Sequence, residues 1–327
     1  MLKYILKRLG LSVLILLGVS LIIYALIRSM PTDYVTAKVL ETSQYLSEED
    51  VAAKVAAMNK AYGLDTNIIQ GYGTWLVKLC RFDFGESFLY GESVISVIKG
   101  SMGVSFIVAL IATIFEFMIA IPLGITAATH QYSARDYIVT ILVMVGISLP
   151  SFFFGQLLRN LFSMKLGWFP SSGLVNATVD HTFTEMMLDY AAHLFIPILT
   201  VVILSIGGRM RMTRTNMLEV MNSDYIRTAR AKGLGEGKVI YKHAFRNTLI
   251  PLVTSLAGLL PSLFSGAMIT EQVFDLPGIG NKAYQALIVA DIPFIMGYNM
   301  FLALLSVIGV LLADLMYAVV DPRVKLA

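Results

Sequence analysis

One glycine-rich segment of the chain has residues that could bind phosphate. It reads Gly233-Leu-Gly-Glu-Gly-Lys238, whereas a phosphate-binding loop follows a strand with the pattern Gly-x4-Gly-Lys-Ser/Thr. The position that should begin the pattern is Lys232, and Val239 stands where Ser or Thr is required. The segment therefore does not predict a nucleotide site on this chain.

Histidine, cysteine and hydroxyl residues do not form a recognisable catalytic or metal-binding pattern. The single cysteine, Cys80, excludes an intrachain disulfide and a thiolate metal cluster. No Ser/His/Asp set or glycine elbow is found, and the histidines are scattered along the chain, at His130, His181, His193 and His243. We therefore expect no catalytic residue, no metal site and no enzymatic activity.

The acidic residue Glu116 stands out because it lies inside a strongly apolar run. A charge within a membrane is costly, so such a residue is by default a functional hypothesis, for example a proton or ion site. Glu116 could instead be protonated, or hydrogen-bonded where two helices meet. Arg159 lies near the end of the next apolar run, where its side chain can extend to the surface. Because the two residues differ in depth, we do not pair them.

The composition is that of an integral membrane protein. Of the 327 residues, 57% are hydrophobic and 14% are charged, and the mean hydropathy is +0.73. Soluble domains carry about 25% charged residues and about 45–50% apolar residues. The net charge of +3 is too small to indicate a partner by itself, and we expect no nucleic-acid partner.

Six apolar segments reach or approach the roughly 20 residues that a bilayer-spanning helix needs. They lie at residues 9–29, 103–128, 137–163, 193–208, 247–270 and 294–319. The first is longer than the apolar core of a cleaved signal peptide and lacks a small-residue cleavage site, so we expect it to be retained. The predicted fold class is all-α integral membrane with six transmembrane helices. Five prolines fall within these segments or at their bends and could line a path: Pro122, Pro150, Pro197, Pro251 and Pro261.

Basic residues indicate the orientation, because cytoplasmic loops carry an excess of Lys and Arg. They cluster at the N-terminal end and in residues 209–246, whereas residues 31–100 contain more acids than bases. Both termini are therefore predicted to be cytoplasmic. The predicted organisation is residues 1–30 as the N-terminal end and first transmembrane helix, 31–100 as an extracytoplasmic cap, and 101–327 as a five-helix core with a basic loop at 209–246.

Two helices are predicted within the cap. Ser47 can cap the first, with acidic residues in its first turn, and Gly63 can end it. The second covers residues 68–79, where Tyr72 and Trp75 suit a membrane interface. The cap is either a structural spacer or a docking site for an external partner, and both alternatives stay open.

Residues 224–246 of the basic loop have the pattern of two short helices. Ser223 or Asp224 can begin the first helix, and Gly233 can end it in the left-handed conformation. One helical face, at i, i+3, i+4 and i+7 spacing, carries Tyr225, Thr228, Ala229 and Lys232. Ala229 and Ala231 keep parts of this helix slim, so a partner's groove could approach the backbone. A solvated loop against anionic lipid is the alternative, but helices hinged at glycines favour docking.

Several ordered motifs resemble one family of membrane proteins. Arg227-Thr-Ala-Arg-Ala-Lys-Gly233 and, nine residues later, His243-Ala-Phe-Arg-Asn247 resemble the EAA loop of bacterial ABC importer membrane subunits, in the dipeptide, oligopeptide and nickel permease branch. Further stretches agree: Tyr62-Gly-Leu-Asp65, Phe84-Gly-Glu-Ser87, Leu166-Gly-Trp-Phe-Pro-Ser-Ser-Gly173, Glu271-Gln-Val-Phe-Asp-Leu-Pro-Gly-Ile-Gly280 and Asp314-Leu-Met-Tyr-Ala-Val-Val-Asp-Pro-Arg323. The resemblance spans nearly the whole chain, and its long first loop is similar to that of the B-type subunit.

The resemblance implies a type I importer fold and a multi-pass transport subunit in the inner (cytoplasmic) membrane of a bacterium. The implied partners are a second, homologous permease subunit, two cytoplasmic ATPases and an extracytoplasmic substrate-binding protein. ATP and magnesium would bind to the ATPases, and no cofactor is implied on this chain.

The family also implies site residues. The first helix of the EAA loop would be seated in an ATPase groove, and the positions carried over are Tyr225, Ile226, Arg227, Thr228, Ala229, Arg230, Gly233 and His243. Arg227 and Thr228 stand where the eponymous Glu-Ala occur, so arginine rather than glutamate would make the contact. As translocation-path residues we name Glu116, Pro150, Ser151 and Glu271, although Glu116 is atypical for the family.

The expected function is half of a translocation path for oligopeptides or dipeptides, coupled to ATP hydrolysis through residues 224–246. Nickel and glutathione remain alternative substrates. The competing hypothesis is an ion-coupled secondary transporter that uses Glu116. Such carriers often contain internal repeats, and we find none between the two halves of this sequence. A third possibility is a scaffold that only anchors an ATPase.

Overall fold

A computed structural model of the chain describes residues 2–29, 47–62, 65–176, 182–255 and 258–320. The described residues are mainly helical, and one isolated antiparallel bridge joins Glu86 and Ser93. In chain order the helices are α1 (Leu2–Arg28), α2 (Glu48–Tyr62), α3 (Ile68–Cys80), α4 (Val94–Thr129), α5 (Ala134–Ser148), α6 (Ser151–Leu158), α7 (Phe183–Met221), α8 (Asp224–Ala231), α9 (Arg246–Ser255), α10 (Leu259–Ser265), α11 (Met268–Val273), α12 (Ile279–Ile288) and α13 (Ile292–Val320). Two π-helical segments, Arg159–Lys165 and Lys238–Phe245, follow α6 and precede α9.

Among the described residues, four helices are long and apolar enough to cross a membrane. They are the Arg8–Leu26 part of α1, the whole of α4 and α7, and the Ile292–Ala313 part of α13. The α5 helix and the α6 helix with its π-helical extension form a bent pair that could make a fifth crossing. The all-α membrane class is therefore confirmed, and six crossings with cytoplasmic termini stay a prediction.

The predicted span at 137–163 is divided by a sharp bend at Pro150. The α5 helix ends at Ser148 and α6 begins at Ser151, with an angle of 102° between the two parts. Leu149 between them has extended backbone, with φ −84° and ψ 132°. Because the ring of Pro150 disfavours helical backbone in the preceding residue, the chain turns at this point.

The predicted span at 247–270 is also divided. Its described residues fall in α9, α10 and the beginning of α11, and residues 256 and 257 lie outside the described part of the chain. Gly266 follows α10 with a φ of 72°, a left-handed conformation that interrupts a right-handed helix. Pro251 lies inside α9, where proline lacks the N–H that continues the hydrogen-bond ladder.

The helix around the predicted span 193–208 is much longer than expected. The α7 helix has 39 residues and begins with a capping box between Thr182 and Glu185. It contains Arg209 and Arg214, so the prediction that they lie in the loop at 209–246 is wrong. Both arginines pair with carboxylates of this chain, so the helix continues beyond the apolar stretch and the loop starts only after Met221.

The chain divides into two compact units. The first comprises the described residues within 1–103 and 282–308 and contains the described part of the cap. The N–H of Asp50 donates to the Ser47 hydroxyl at 3.2 Å, so the predicted cap of α2 is confirmed. The predicted stop at Gly63 lies outside the described residues.

The α3 helix confirms the second predicted helix of the cap and packs against α1. The ring of Tyr24 in α1 lies 5.6 Å from that of Tyr72 and 5.7 Å from that of Trp75. The Trp75 residue is only 4% exposed. The aromatic face of α3 is therefore buried on α1 within this unit.

Asp291 holds the Phe84-Gly-Glu-Ser87 segment in the first unit. This aspartate is fully buried and precedes α13. Its carboxylate accepts hydrogen bonds from the Ser87 hydroxyl, from the N–H of Leu89 at 3.0 Å and from the N–H of Phe294 at 3.2 Å. One carboxylate thus joins the end of the cap to the start of α13.

The second unit comprises the described residues within 104–281 and 309–320, and in it α5 packs closely against α7. A Cβ atom on Gly207 of α7 would overlap the side chain of Ile147. On α5, a Cβ on Gly146 would lie 3.1 Å from the carbonyl oxygen of Ile203. Glycine at both positions therefore allows the two helices to approach closely.

Candidate coupling site

The α8 segment, residues 222–246, begins where α7 ends. Ser223 has the extended backbone of an N-cap, with φ −76° and ψ 152°. Its hydroxyl donates to the carbonyl of Val220 instead of accepting from the first turn. The carboxylate of Asp224 lies in that first turn, where a negative charge complements the helix dipole. The predicted start of the helix is therefore confirmed.

The end of α8 is also confirmed. Gly233 has a φ of 74°, and its N–H donates to the carbonyl of Arg230 at 2.9 Å. The N–H of Leu234 reaches the carbonyl of Ala229 at 3.4 Å. This is the left-handed glycine stop of a helix, and it reverses the chain towards the π-helical segment.

The inner face of α8 is buried in the core of the second unit. Ile226 is 0% exposed and Ala229 is 7% exposed. They belong to a cluster completed by Ile125, Ala128, Met217, Val239 and Ala244, which come from α4, α7 and the π-helical segment. The expectation that Ala229 faces a partner is therefore wrong, because this small apolar side chain packs inward.

The outer face of α8 is polar and cationic. Tyr225 is 48% exposed, and Thr228 is also exposed. The side chains of Arg227 and Arg230 are 72% and 39% exposed. The Arg227 guanidinium lies 3.7 Å from Asp224, whose side chain is 98% exposed, so this pair is open to solvent. Four of the eight predicted coupling residues therefore form one accessible surface, which we call the outer face: Tyr225, Arg227, Thr228 and Arg230.

The other predicted coupling residues have different places. Ile226 and Ala229 hold α8 on the core, and Gly233 makes the turn. His243 is half-buried in the π-helical segment, where its carbonyl accepts from Asn247 at 2.8 Å. These residues can position the outer face without belonging to it.

A second ion pair holds the neighbouring turn between α4 and α5. Arg214 of α7 donates to both carboxylate oxygens of Asp136, at 3.0 and 2.9 Å. The N–H of Tyr132 donates to the same carboxylate at 3.1 Å. Two parallel hydrogen bonds make this a geometrically defined pair. The two residues lie 78 positions apart, so no local sequence pattern pairs them.

Glu116 forms an ion pair with Arg209, which belongs to α7 and not to the predicted loop at 209–246. The Nε of Arg209 lies 3.0 Å from Oε1 of Glu116, and the Glu116 residue is 9% exposed. This agrees with the hypothesis that Glu116 is hydrogen-bonded where helices meet. The carboxylate has a counterion within the chain, so its presence in an apolar helix is explained without ion transport.

Glu271 is fully buried and organises the segment that follows it. Its carboxylate accepts from the Ser105 hydroxyl at 2.7 Å, from the N–H of Ala267 at 3.1 Å and from the N–H of Asn281 at 2.9 Å. A Cβ on Gly278 would overlap the carboxylate. These contacts explain both the acid and the glycine of the Glu271–Gly280 motif by packing.

The remaining path candidates lie at the bend between α5 and α6. Pro150 is exposed, and Ser151 is half-buried at the first position of α6. The contacts of Glu116 and Glu271 are structural ones. A role of these four residues in lining a path stays a prediction.

Comparison with known proteins shows the family. Residues 120–326 match the model described as "Binding-protein-dependent transport system inner membrane component", and residues 1–107 match "Binding-prot-dependent transport system membrane comp, N-term". The chain is 35% identical over 326 residues to the oligopeptide transport system permease protein AppB of Bacillus subtilis (strain 168), covering 99% of this chain and 100% of that protein. It is 30% identical over 339 residues to the dipeptide transport system permease protein DppB of Alkalihalophilus pseudofirmus, covering 99% and 100%.

A solved structure shares the fold. A chain of the MetNI methionine ABC transporter, in inward-facing conformations, matches 69% of this chain and 97% of its own length, with a TM-score of 0.54 and 16% identity. At this identity the likeness concerns the fold alone. The family matches cover both halves of the sequence, and the relatives match it end to end. The chain belongs to the binding-protein-dependent transport system inner membrane components, the permease subunits of ABC importers.

Proposed function

We propose that this chain forms half of the translocation path of an ATP-driven peptide importer and contacts a cytoplasmic ATPase through the outer face of α8. The observation that carries the proposal is the division of α8 into two faces. Ile226, at 0% exposure, anchors the inner face, while Tyr225 and Arg227 project outward at 48% exposure and 72% side-chain exposure.

This arrangement suits the transmission of movement. A helix whose inner face is packed on α4 and α7 can move those helices when a partner moves it, because packed cores transmit displacement. A loop solvated on all sides would absorb the movement instead. The arginines of the outer face offer planar, multiple donors that match carboxylates of a partner groove.

The proposed assembly contains two permease subunits, two ATPases that bind ATP and magnesium, and an extracytoplasmic binding protein that delivers the substrate. The chain would cross the inner membrane of a bacterium six times, with both termini cytoplasmic. Peptides are the proposed cargo, because the relatives named above are permease proteins of oligopeptide and dipeptide transport systems.

The proposed mechanism is alternating access, without covalent chemistry on this chain. ATP closes the ATPase pair, α8 follows the ATPase in which it is seated, and α4 and α7 tilt with it to open the path outward. Substrate enters from the binding protein, and hydrolysis restores the inward state. Such a cycle requires a partner that interacts differently with the two states. In the proposed mechanism the ATPase makes these different contacts at α8.

Uptake in proteoliposomes tests the proposal. The chain is reconstituted with its second permease, ATPases and binding protein, and uptake of a labelled peptide mixture is measured with ATP. We expect uptake that stops when the ATPases are replaced by variants unable to hydrolyse ATP. Uptake by this chain alone, driven by a proton gradient and abolished by Glu116→Gln, would instead establish the secondary transporter.

A further inference from the structure

Three helices meet at the side chain of Arg209. From α7, its Nε donates to Oε1 of Glu116 in α4 at 3.0 Å, and its Nη1 donates to the hydroxyl of Ser255 in α9 at 2.8 Å. The guanidinium carbon lies 4.5 Å from the ring centroid of Phe117, which adds a cation–π contact. We call these four residues the Arg209 clamp.

The Arg209 clamp is sheltered from solvent. The side chains of Arg209 and Glu116 are 17% and 12% exposed, and they belong to the apolar helices α7 and α4. The Ser255 hydroxyl donates to the carbonyl of Leu252, which leaves its oxygen free to accept from Arg209. Separating charges in such surroundings is costly, so the contact favours helices that stay together.

The Arg209 clamp lies on the helices that lead into and out of the α8 segment, at a distance from α8 itself. The α7 helix leads into the α8 segment and α9 leads out of it. At 1.5 Å per residue, Arg209 lies roughly 18 Å along α7 from Met221. The apolar cluster that buries the inner face of α8 joins α4 to α7 near the end of α7, through Ile125 and Met217 among others. The clamp joins the same two helices, and α9, farther along.

We propose that Arg209 is a positioning residue that makes α4, α7 and α9 move as one body when an ATPase moves α8. This rests on the proposed function of α8. Without the clamp, the helices would remain assembled around α8 but would slide past one another beyond it. ATP would then be hydrolysed without moving the path.

Removing both charges separates this role from a purely structural one. Glu116→Leu alone leaves an unpaired guanidinium, whereas the double variant Glu116→Leu/Arg209→Leu replaces the pair with apolar side chains, a change that proteins often tolerate. Arg209→Lys is the matched control. It keeps the charge but loses the planar fork that reaches Glu116 and Ser255 together.

The first readout is peptide uptake per ATP hydrolysed in the reconstituted complex. We expect the double variant to assemble and hydrolyse ATP while uptake per ATP falls by about tenfold, within the usual range of coupling between sites. Uptake per ATP in Arg209→Lys should lie between the values of the double variant and the wild type. Uptake per ATP at the wild-type level in the double variant would overturn the proposal.

A distance measurement gives a second test that needs no transported substrate. In a Cys80→Ser background, spin labels are placed at Ile119→Cys on α4 and Asn247→Cys on α9, both exposed positions. The distance is measured in the nanodisc complex with and without ATP and vanadate. The clamp predicts one unchanged distance in the wild type and a shifted or broadened one in Arg209→Leu. A wild-type distance that changes with nucleotide would overturn the clamp, whereas absent ATP-driven uptake would count against the proposed function alone.

Discussion

Arg230 and Glu236 close the turn around Gly233 with two hydrogen bonds. The Nε of Arg230 lies 2.8 Å from one carboxylate oxygen of Glu236, and its Nη2 lies 3.3 Å from the other. This pair joins the end of α8 to the residues that lead into the π-helical segment. The left-handed glycine sets the direction of the turn, and the ion pair bridges its two sides.

Replacing Glu236 by Gln should change stability little. The side chains of Arg230 and Glu236 are 39% and 61% exposed, and exposed ion pairs contribute about 0–1 kcal/mol. Thermal unfolding of the purified chain in detergent measures the change. A loss of several kcal/mol would show that the pair is part of the core and contradict the description of an open turn.

Gly233→Ala should destabilise the α8 segment by about 1 kcal/mol, because a Cβ is strained in the left-handed region. Gly235→Ala is the matched control, since Gly235 is not among the glycines with positive φ. A Cβ at either position has no atom within 4 Å, so the comparison isolates the backbone. Equal unfolding midpoints for the two variants would show that the turn does not depend on the φ of Gly233.

Ile226→Ala should affect stability, whereas Tyr225→Ala should affect binding of the ATPase. Ile226 is fully buried, and removing such a side chain costs about 2–5 kcal/mol, so this variant should lose thermal stability. Tyr225 is about half exposed, so its variant should keep its stability and lose affinity for the ATPase, measured by co-purification. Wild-type affinity in Tyr225→Ala would remove this residue from the proposed contact.

Gly278→Ala should lower the stability of the second unit by about 1–3 kcal/mol, the usual cost of overpacking. Its Cβ would overlap the Glu271 carboxylate, whereas a Cβ on Gly103 in α4 meets nothing within 4 Å. Gly103→Ala should be neutral or stabilising, because alanine favours helices. Denaturant unfolding of both variants measures the difference, and a stable Gly278→Ala protein would contradict the tight packing around Glu271.

The boundaries of α8 were predictable from sequence, whereas its orientation was not. Ser223, Asp224 and Gly233 are local signals that act within one turn of the helix. The burial of Ala229 depends instead on where α4 and α7 pass, which no local pattern contains. The same distinction explains why the cap helices were predicted correctly and the contacts of Trp75 with α1 were not.

Long-range partners explain the errors in the helix boundaries. The apolar run ends at Arg209, so a span stopping there was the natural prediction, but Glu116 lies 93 positions away and neutralises it. The bend at Pro150 had a visible signal. The division of the span into α5 and α6 was not predictable, because apolar residues continue on both sides of Pro150 and prolines are tolerated in membrane helices.

Photocrosslinking from α8 tests the central claim most directly. Benzoylphenylalanine is placed at Thr228 on the outer face, with Trp168, which is 65% exposed, as the control position in the same unit. The complex is irradiated in the membrane, and the linked partner is identified by mass spectrometry. We predict that position 228 links to a cytoplasmic ATPase and that position 168 does not. Crosslinks from 228 to lipid alone, or equal ATPase crosslinks from both positions, would contradict the assignment of α8 as the coupling contact.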